Sequence, residues 1–240
     1  MNRIQEVFGT SHVLLPVIHP INSEAALAAV RVAVDAGVRG VFLIDQGLSE
    51  AGLLRLVIAI RALHPTLWLG LNLLSRTPSE TLSLALRECD GIDGIWADNA
   101  GVDERADANP KQLAASAFEI ARCLVGWRGL YFGGVAFKYT REVAAEDLAT
   151  AAMRSSPFMD VLCTSGAATG QAASIEKVRA LREGLGDHAM ALASGVTPSN
   201  VRSYMWYVQA FLVGTGIERQ LGVLDPTKIA ALQDAMKEAL

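Results

Sequence analysis

Eight residues in this chain share a context that suggests chemistry. His19, Asp45, Asn72, Asp98, Lys138, Thr164, Ser194 and Thr215 each stand at or just past the end of a short apolar run. Each carries a group that binds, donates or accepts. A strand end is also simply where a chain meets water, so any one position has a bland explanation. The full set reads as a ring of polar groups around one mouth.

Lys138 is the most reactive of them. A lysine amine in a cavity can act as a base, form a Schiff base or hold a substrate anion as a fixed cation. His19 is of a type that suits general acid or base work, or it is a packed histidine between Ile18 and Pro20. Asp45 and Asp98 can share proton transfer or hold a divalent metal. Asn72 is expected to orient a substrate. No dedicated metal ligand set or cofactor motif is read from the sequence, and a divalent metal is kept as an option.

The most specific stretches lie in the last third. Ser194, Gly195 and Thr197 fall in ASGVTPSN, followed by Gly214, Thr215 and Gly216 in VGTGI. Glycine lets a backbone approach a ligand, and a helix start offers free N–H groups to an anion. Thr164, Ser165 and Gly166, in TSGAATG, add hydroxyls and N–H groups. Together these fourteen positions read as a phosphate-binding rim with acid/base groups beside it.

The elements that must carry these residues alternate along the whole chain. Apolar runs at 13–18, 40–44, 67–71, 94–97, 129–137, 160–163, 189–193 and 210–213 are each followed by a helical stretch. The helices are expected at 24–36 (with Ser23 as N-cap), 49–63, 79–88, 110–124, 145–154, 174–183, 199–207 and from 226 to the end. Strand–helix alternation implies a parallel sheet, and eight units roughly 30 residues apart fit a (β/α)₈ barrel. No linker or low-complexity segment divides residues 1–240, so one domain is expected. Catalytic groups in such barrels stand at the C-terminal strand ends, with phosphate held after the last two strands.

Composition excludes other classes. Of 240 residues, 51% are hydrophobic and 19% charged, which is too apolar for disorder. The net charge is −4, with no basic run, so a nucleic-acid partner is not expected. No apolar stretch reaches the roughly 18 residues of a membrane span, and no signal peptide is read. Three cysteines without CxxC spacing fit a reducing cytoplasm rather than a zinc site, and all three are expected to be buried and inert. A mean hydropathy of +0.30 suggests an apolar surface paired with another copy, hence a homo-oligomer.

DVLCTSGAATG, LASGVTPSNV and FLVGTGIE, in that order, resemble the BtpA/SgcQ family of (β/α)₈ proteins. Weaker agreements are Val17-Ile18-His19, Gly70-Leu71-Asn72 and Lys138. The chain departs from the family after His19, where it reads Pro20-Ile21-Asn22-Ser23, and at Asp45 and Asp98. The resemblance implies a divergent member and a barrel of the ribulose-phosphate-binding type. Three functions are open: an isomerase or lyase acting on a small phosphorylated metabolite, a non-catalytic biogenesis or assembly factor, and a metal-assisted hydrolase.

Overall fold

A computed structural model describes residues 2–89, 91–105 and 112–238. Eight parallel strands close into a barrel in sequence order: β1 (Val13–Ile18), β2 (Gly40–Ile44), β3 (Trp68–Asn72), β4 (Gly94–Ala97), β5 (Leu130–Gly134), β6 (Val161–Ser165), β7 (Ala189–Ala193) and β8 (Ala210–Val213). Helices α2 (Ser23–Asp35), α3 (Glu50–Leu63), α4 (Pro78–Glu88), α5 (Leu113–Leu124), α6 (Leu148–Ser155), α7 (Ile175–Leu185), α8 (Val201–Tyr204) and α9 (Pro226–Lys237) follow the strands. The (β/α)₈ expectation is met.

Local chemistry sets the helix starts. Ser49, Thr77, Ser174 and Asp225 each accept a backbone N–H of the turn they open. The cap of α2 is Asn22 rather than the expected Ser23, which is the first helical residue. Its amide oxygen accepts from Ala25 N at 2.8 Å. The expected start of the fourth helix at Pro110 lies outside the described residues. The seventh helix is far shorter than 199–207, being a single turn.

Two features go beyond the strand–helix pattern. Helix α1 (Arg3–Phe8) places Ile4 and Phe8 in the barrel-interior cluster, and the Phe8 ring meets Trp68 at 5.3 Å. A small hairpin, β9 (Glu218–Gln220) with β10 (Val223–Leu224), intervenes between β8 and α9.

Strand residues divide by parity into two cores. Leu15, Phe42, Trp68, Trp96, Phe132, Cys163, Ala191 and Leu212 fill the barrel. Leu14, Leu43, Leu71, Ile95, Tyr131, Leu162, Leu192 and Phe211 pack outward on the helices. Phe42 is the hub of the interior, meeting Trp68, Trp96 and Phe132 edge-on at 5.1–5.7 Å. Gly70 leaves room for the Phe42 ring, which stands where a Cβ would be. This parity decides which strand-end residues look into the mouth.

Candidate active site

Extending the parity past each strand end gives the inward positions. They are His19, Gln46, Asn72, Asp98 and Ser165. Two expected members are displaced by one residue. Asp45 has the outward parity of Leu43, and its carboxylate accepts Leu74 N at 2.9 Å. Gln46 is the residue that lines the mouth. Thr164 has the outward parity of Leu162 and is fully buried, with its hydroxyl 3.4 Å from the Ala136 carbonyl. Strand β5 also ends earlier than expected, at Gly134, so Lys138 rides on the following loop.

A cavity of about 150 Å³ occupies the C-terminal end of the barrel. Val17, Ile44, Trp96, Ala193 and Leu212 form an apolar floor. His19, Gln46, Asp98, Lys138, Thr169, Ser194, Gly214 and Thr215 are the polar wall. A second cavity of about 270 Å³ shares Asp98, Lys138, Leu74 and Tyr139 with it and adds Asn72, Arg76 and Arg141. Asp98 and Lys138 therefore stand on the boundary of both.

Lys138 reaches across the mouth. Its Nζ donates to Ser194 Oγ at 3.0 Å and to Thr169 Oγ1 at 3.2 Å. That gathers a cation and two hydroxyls from three successive loops. Three non-glycine residues of these loops have positive φ: Ala136 at 47°, Tyr139 at 61° and Ser194 at 78°. Such strain persists only where surrounding structure enforces it, and it gathers at functional sites.

Asp98 is the acid/base candidate. Burial raises its carboxyl above the ordinary value. The amide hydrogen bond from Asn72, at 3.1 Å, and the Lys138 charge oppose that rise, while the Asp45 charge adds to it. Asn72 is itself fully buried, and its Oδ1 has no partner among the described residues. Its visible task is to hold Asp98.

His19 has a partner that sequence reasoning misses. Its Nδ1 lies 2.8 Å from Glu218 Oε1, and Glu218 is buried. An ionised carboxylate only accepts, so Nδ1 carries the proton and Nε2 is the ring's basic atom. Among the described residues Nε2 has no hydrogen-bond partner. Gly222 N donates to the same Glu218 oxygen at 3.1 Å, tying the dyad to the hairpin. Replacing Glu218 with Ala strands two donors and should destabilise the fold by about 1–3 kcal/mol, whereas Glu218→Gln should restore most of it. Denaturant midpoints of the two variants check this.

The glycines after β7 and β8 are required for packing. A Cβ on Gly195 would strike the Gln171–Ala172 backbone, and one on Gly216 the Val196 carbonyl. Gly166 is pressed likewise against Gln171. Loops six, seven and eight are thus locked together. The backbone N–H groups of Gly195, Val196, Thr215 and Gly216 find no acceptor among the described residues. Thr197 is different. Its N–H donates to Asn200 Oδ1 at 2.8 Å and its hydroxyl pairs with Ser199 at 2.9 Å, so its own turn absorbs both groups.

His12 and the cysteines, to which the sequence assigns no chemistry, lie elsewhere. His12 bonds the Met205 carbonyl at 2.9 Å. Cys89 and Cys163 are buried as expected, and burial pushes the Cys163 thiol well up. Cys123 is exposed on α5, contrary to expectation, because only Ala115 and Phe118 of that helix are buried. Among the described residues no group of three or more His, Cys, Asp or Glu side chains is placed to hold a metal ion. Asp45 and Asp98, the expected carboxylate pair, have opposite parity. No described helix is long and apolar enough to cross a membrane.

No family model matches the chain, and no curated protein does. Solved structures do resemble it. Phosphoribosyl anthranilate isomerase from Thermus thermophilus aligns with a TM-score of 0.63 at 17% identity, covering 95% of this chain and 100% of that one. A KDPGal structure gives 0.66 at 20% identity, covering 96% and 97%. KGPDC from Streptococcus mutans gives 0.66 at 13% identity, covering 96% and 99%. The chain shares their fold. At these identities the likeness reaches the barrel and stops short of the chemistry.

Proposed function

We propose that this barrel is an enzyme that binds a small phosphorylated metabolite in its mouth and moves a proton on it, as an isomerase or lyase does. The observation that carries this is the gathering of an anion-binding edge and acid/base groups around one cavity. The edge is Lys138 with Ser194, Thr215 and the unpartnered N–H groups after β7 and β8. The acid/base groups are Asp98 and the His19–Glu218 pair.

The geometry supports the following roles. Lys138 and the loop N–H groups hold the phosphate. Asp98, its carboxyl raised by burial, gives or takes a proton beside it. His19, its tautomer fixed by Glu218, presents Nε2 as a second base. Gln46 and Asn72 orient the substrate and Asp98 respectively. The BtpA/SgcQ resemblance implies a barrel of the ribulose-phosphate-binding type, and a phosphoribosyl anthranilate isomerase shares this fold. A cytoplasmic location agrees with the cysteine usage. Self-association is supported by exposed Leu113, Ile120 and Leu124 along one face of α5.

A thermal-shift screen tests the ligand class. Phosphorylated sugars should raise Tm and their unphosphorylated counterparts should not. Saturation at ~100 times Kd stabilises a fold by about 2.7 kcal/mol, which a melting curve resolves. Uniform silence across the phosphorylated set would move the weight to a non-catalytic assembly role.

A further inference from the structure

Ala136 lies between β5 and Lys138 and adopts a left-handed conformation, with φ of 47°. Nothing in alanine favours that state. Two buried or half-buried charged side chains, from opposite sides, grip its peptide groups. The Glu104 carboxylate accepts Ala136 N–H, and the Lys177 ammonium donates to the Ala136 carbonyl. Lys177 Nζ also donates to the Ser165 carbonyl at 2.7 Å. Ser165 Oγ in turn accepts Lys138 N at 2.8 Å. Neither Glu104 nor Lys177 lines the mouth cavity. Burial disfavours the charged form of both. So an anion from the loop after β4 and a cation from α7 converge on one strained residue two positions before Lys138.

We propose that Glu104 and Lys177 are positioning residues that clamp the Ala136 peptide and thereby aim Lys138 at Ser194 and Thr169. The use of such a clamp to the protein rests on Lys138 being the group that holds the ligand anion. The clamp fixes the turn from outside the cavity, which leaves the mouth free for ligand. Its two members bear opposite charges, and that makes the idea testable.

The test follows the rate at which Lys138 is reductively methylated, read by peptide mass spectrometry on the ligand-free protein. Glu104→Ala and Lys177→Met should both label several-fold faster, because the amine is released from its hydroxyl partners. Glu104→Gln keeps an acceptor for Ala136 N–H and should label like the wild type. A through-space charge effect behaves differently. Removing a cation would make Lys138 harder to deprotonate and slow its labelling. Slower or unchanged labelling in Lys177→Met therefore overturns the clamp. Amide hydrogen exchange of Ala136 in the wild type stands beside this if a variant does not fold. A protected amide is expected, and exchange at the rate of an open loop overturns the proposal. Labelling needs no ligand, so a wild type that binds no phosphate would strike the functional reading and leave the clamp standing. Unchanged labelling beside intact phosphate binding would strike the clamp alone.

Discussion

Lys138→Met should weaken binding of inorganic phosphate or a phosphorylated sugar by about 10- to 100-fold. A hydrogen bond to a charged group contributes about 1.5–3 kcal/mol, and each 1.4 kcal/mol is tenfold in affinity. The wild-type amine already sits within 3.0 Å of Ser194 and 3.2 Å of Thr169, so the cation is placed before ligand arrives. The ammonium also stands 5.7 Å from the Phe137 ring centroid, and methionine keeps an unbranched apolar stem there while removing the charge and its N–H donors. Its fold should therefore hold, with Ser194 and Thr169 turning to water. Titration calorimetry reads the change directly. Lys138→Arg should recover part of the affinity, since the guanidinium keeps the charge but not the compact shape of the ammonium. An affinity unchanged in Lys138→Met would remove the residue from the binding edge.

Asp98→Asn should lower turnover by about 10²–10⁴-fold, the usual contribution of a positioned acid or base. The same change should stabilise the protein at neutral pH. Burial raises the Asp98 carboxyl above its unfolded value. A carboxyl raised on folding contributes stability at low pH that is lost as pH rises through its folded pKa. Wild-type stability from this group thus declines upward through and beyond the ordinary carboxylate range. Asparagine has no such titration and can still accept the Asn72 amide. Melting curves across pH should show the variant gaining on the wild type as pH rises. Activity of the wild type should carry a limb displaced above the ordinary Asp range. A variant with full turnover, or one less stable than wild type at neutral pH, would contradict the assignment.

Much of this is legible in the sequence. Runs such as 13–18, 40–44 and 210–213 coincide with strands, because strands buried on both faces read as continuous apolar segments bounded by turns. The same property hides the register. In GVFLI every residue is apolar, so nothing shows whether Ile44 or its neighbours face the barrel. The sequence alone therefore points Asp45 inward where Gln46 belongs, and Thr164 where Ser165 belongs. The interior pairs of Phe42 with Trp68 and Phe132 settle the parity, and those are contacts between strands.

The other omissions are contacts across long chain separations. Glu218 is visible as the acidic end of FLVGTGIE, yet its link to His19 spans 199 positions. Glu104 sits in a polar loop, and Lys177 on a helix turn that reads as solvated. Their meeting at Ala136 needs loop four, loop five and α7 to be assembled. The glycines stand out in the sequence for ligand approach, whereas Gly195, Gly216 and Gly166 are also required where backbones pack against each other. Local sequence announces a glycine's freedom and is silent about the atom that will stand against it.

Backbone amide resonances, followed during titration with inorganic phosphate, test the central claim most directly. The amides of Gly195, Val196, Thr215 and Gly216 should shift saturably, together with Ser194, while the N-terminal face of the barrel around His12 stays still. Saturable shifts elsewhere with these amides unmoved would contradict a phosphate site at the ends of β7 and β8.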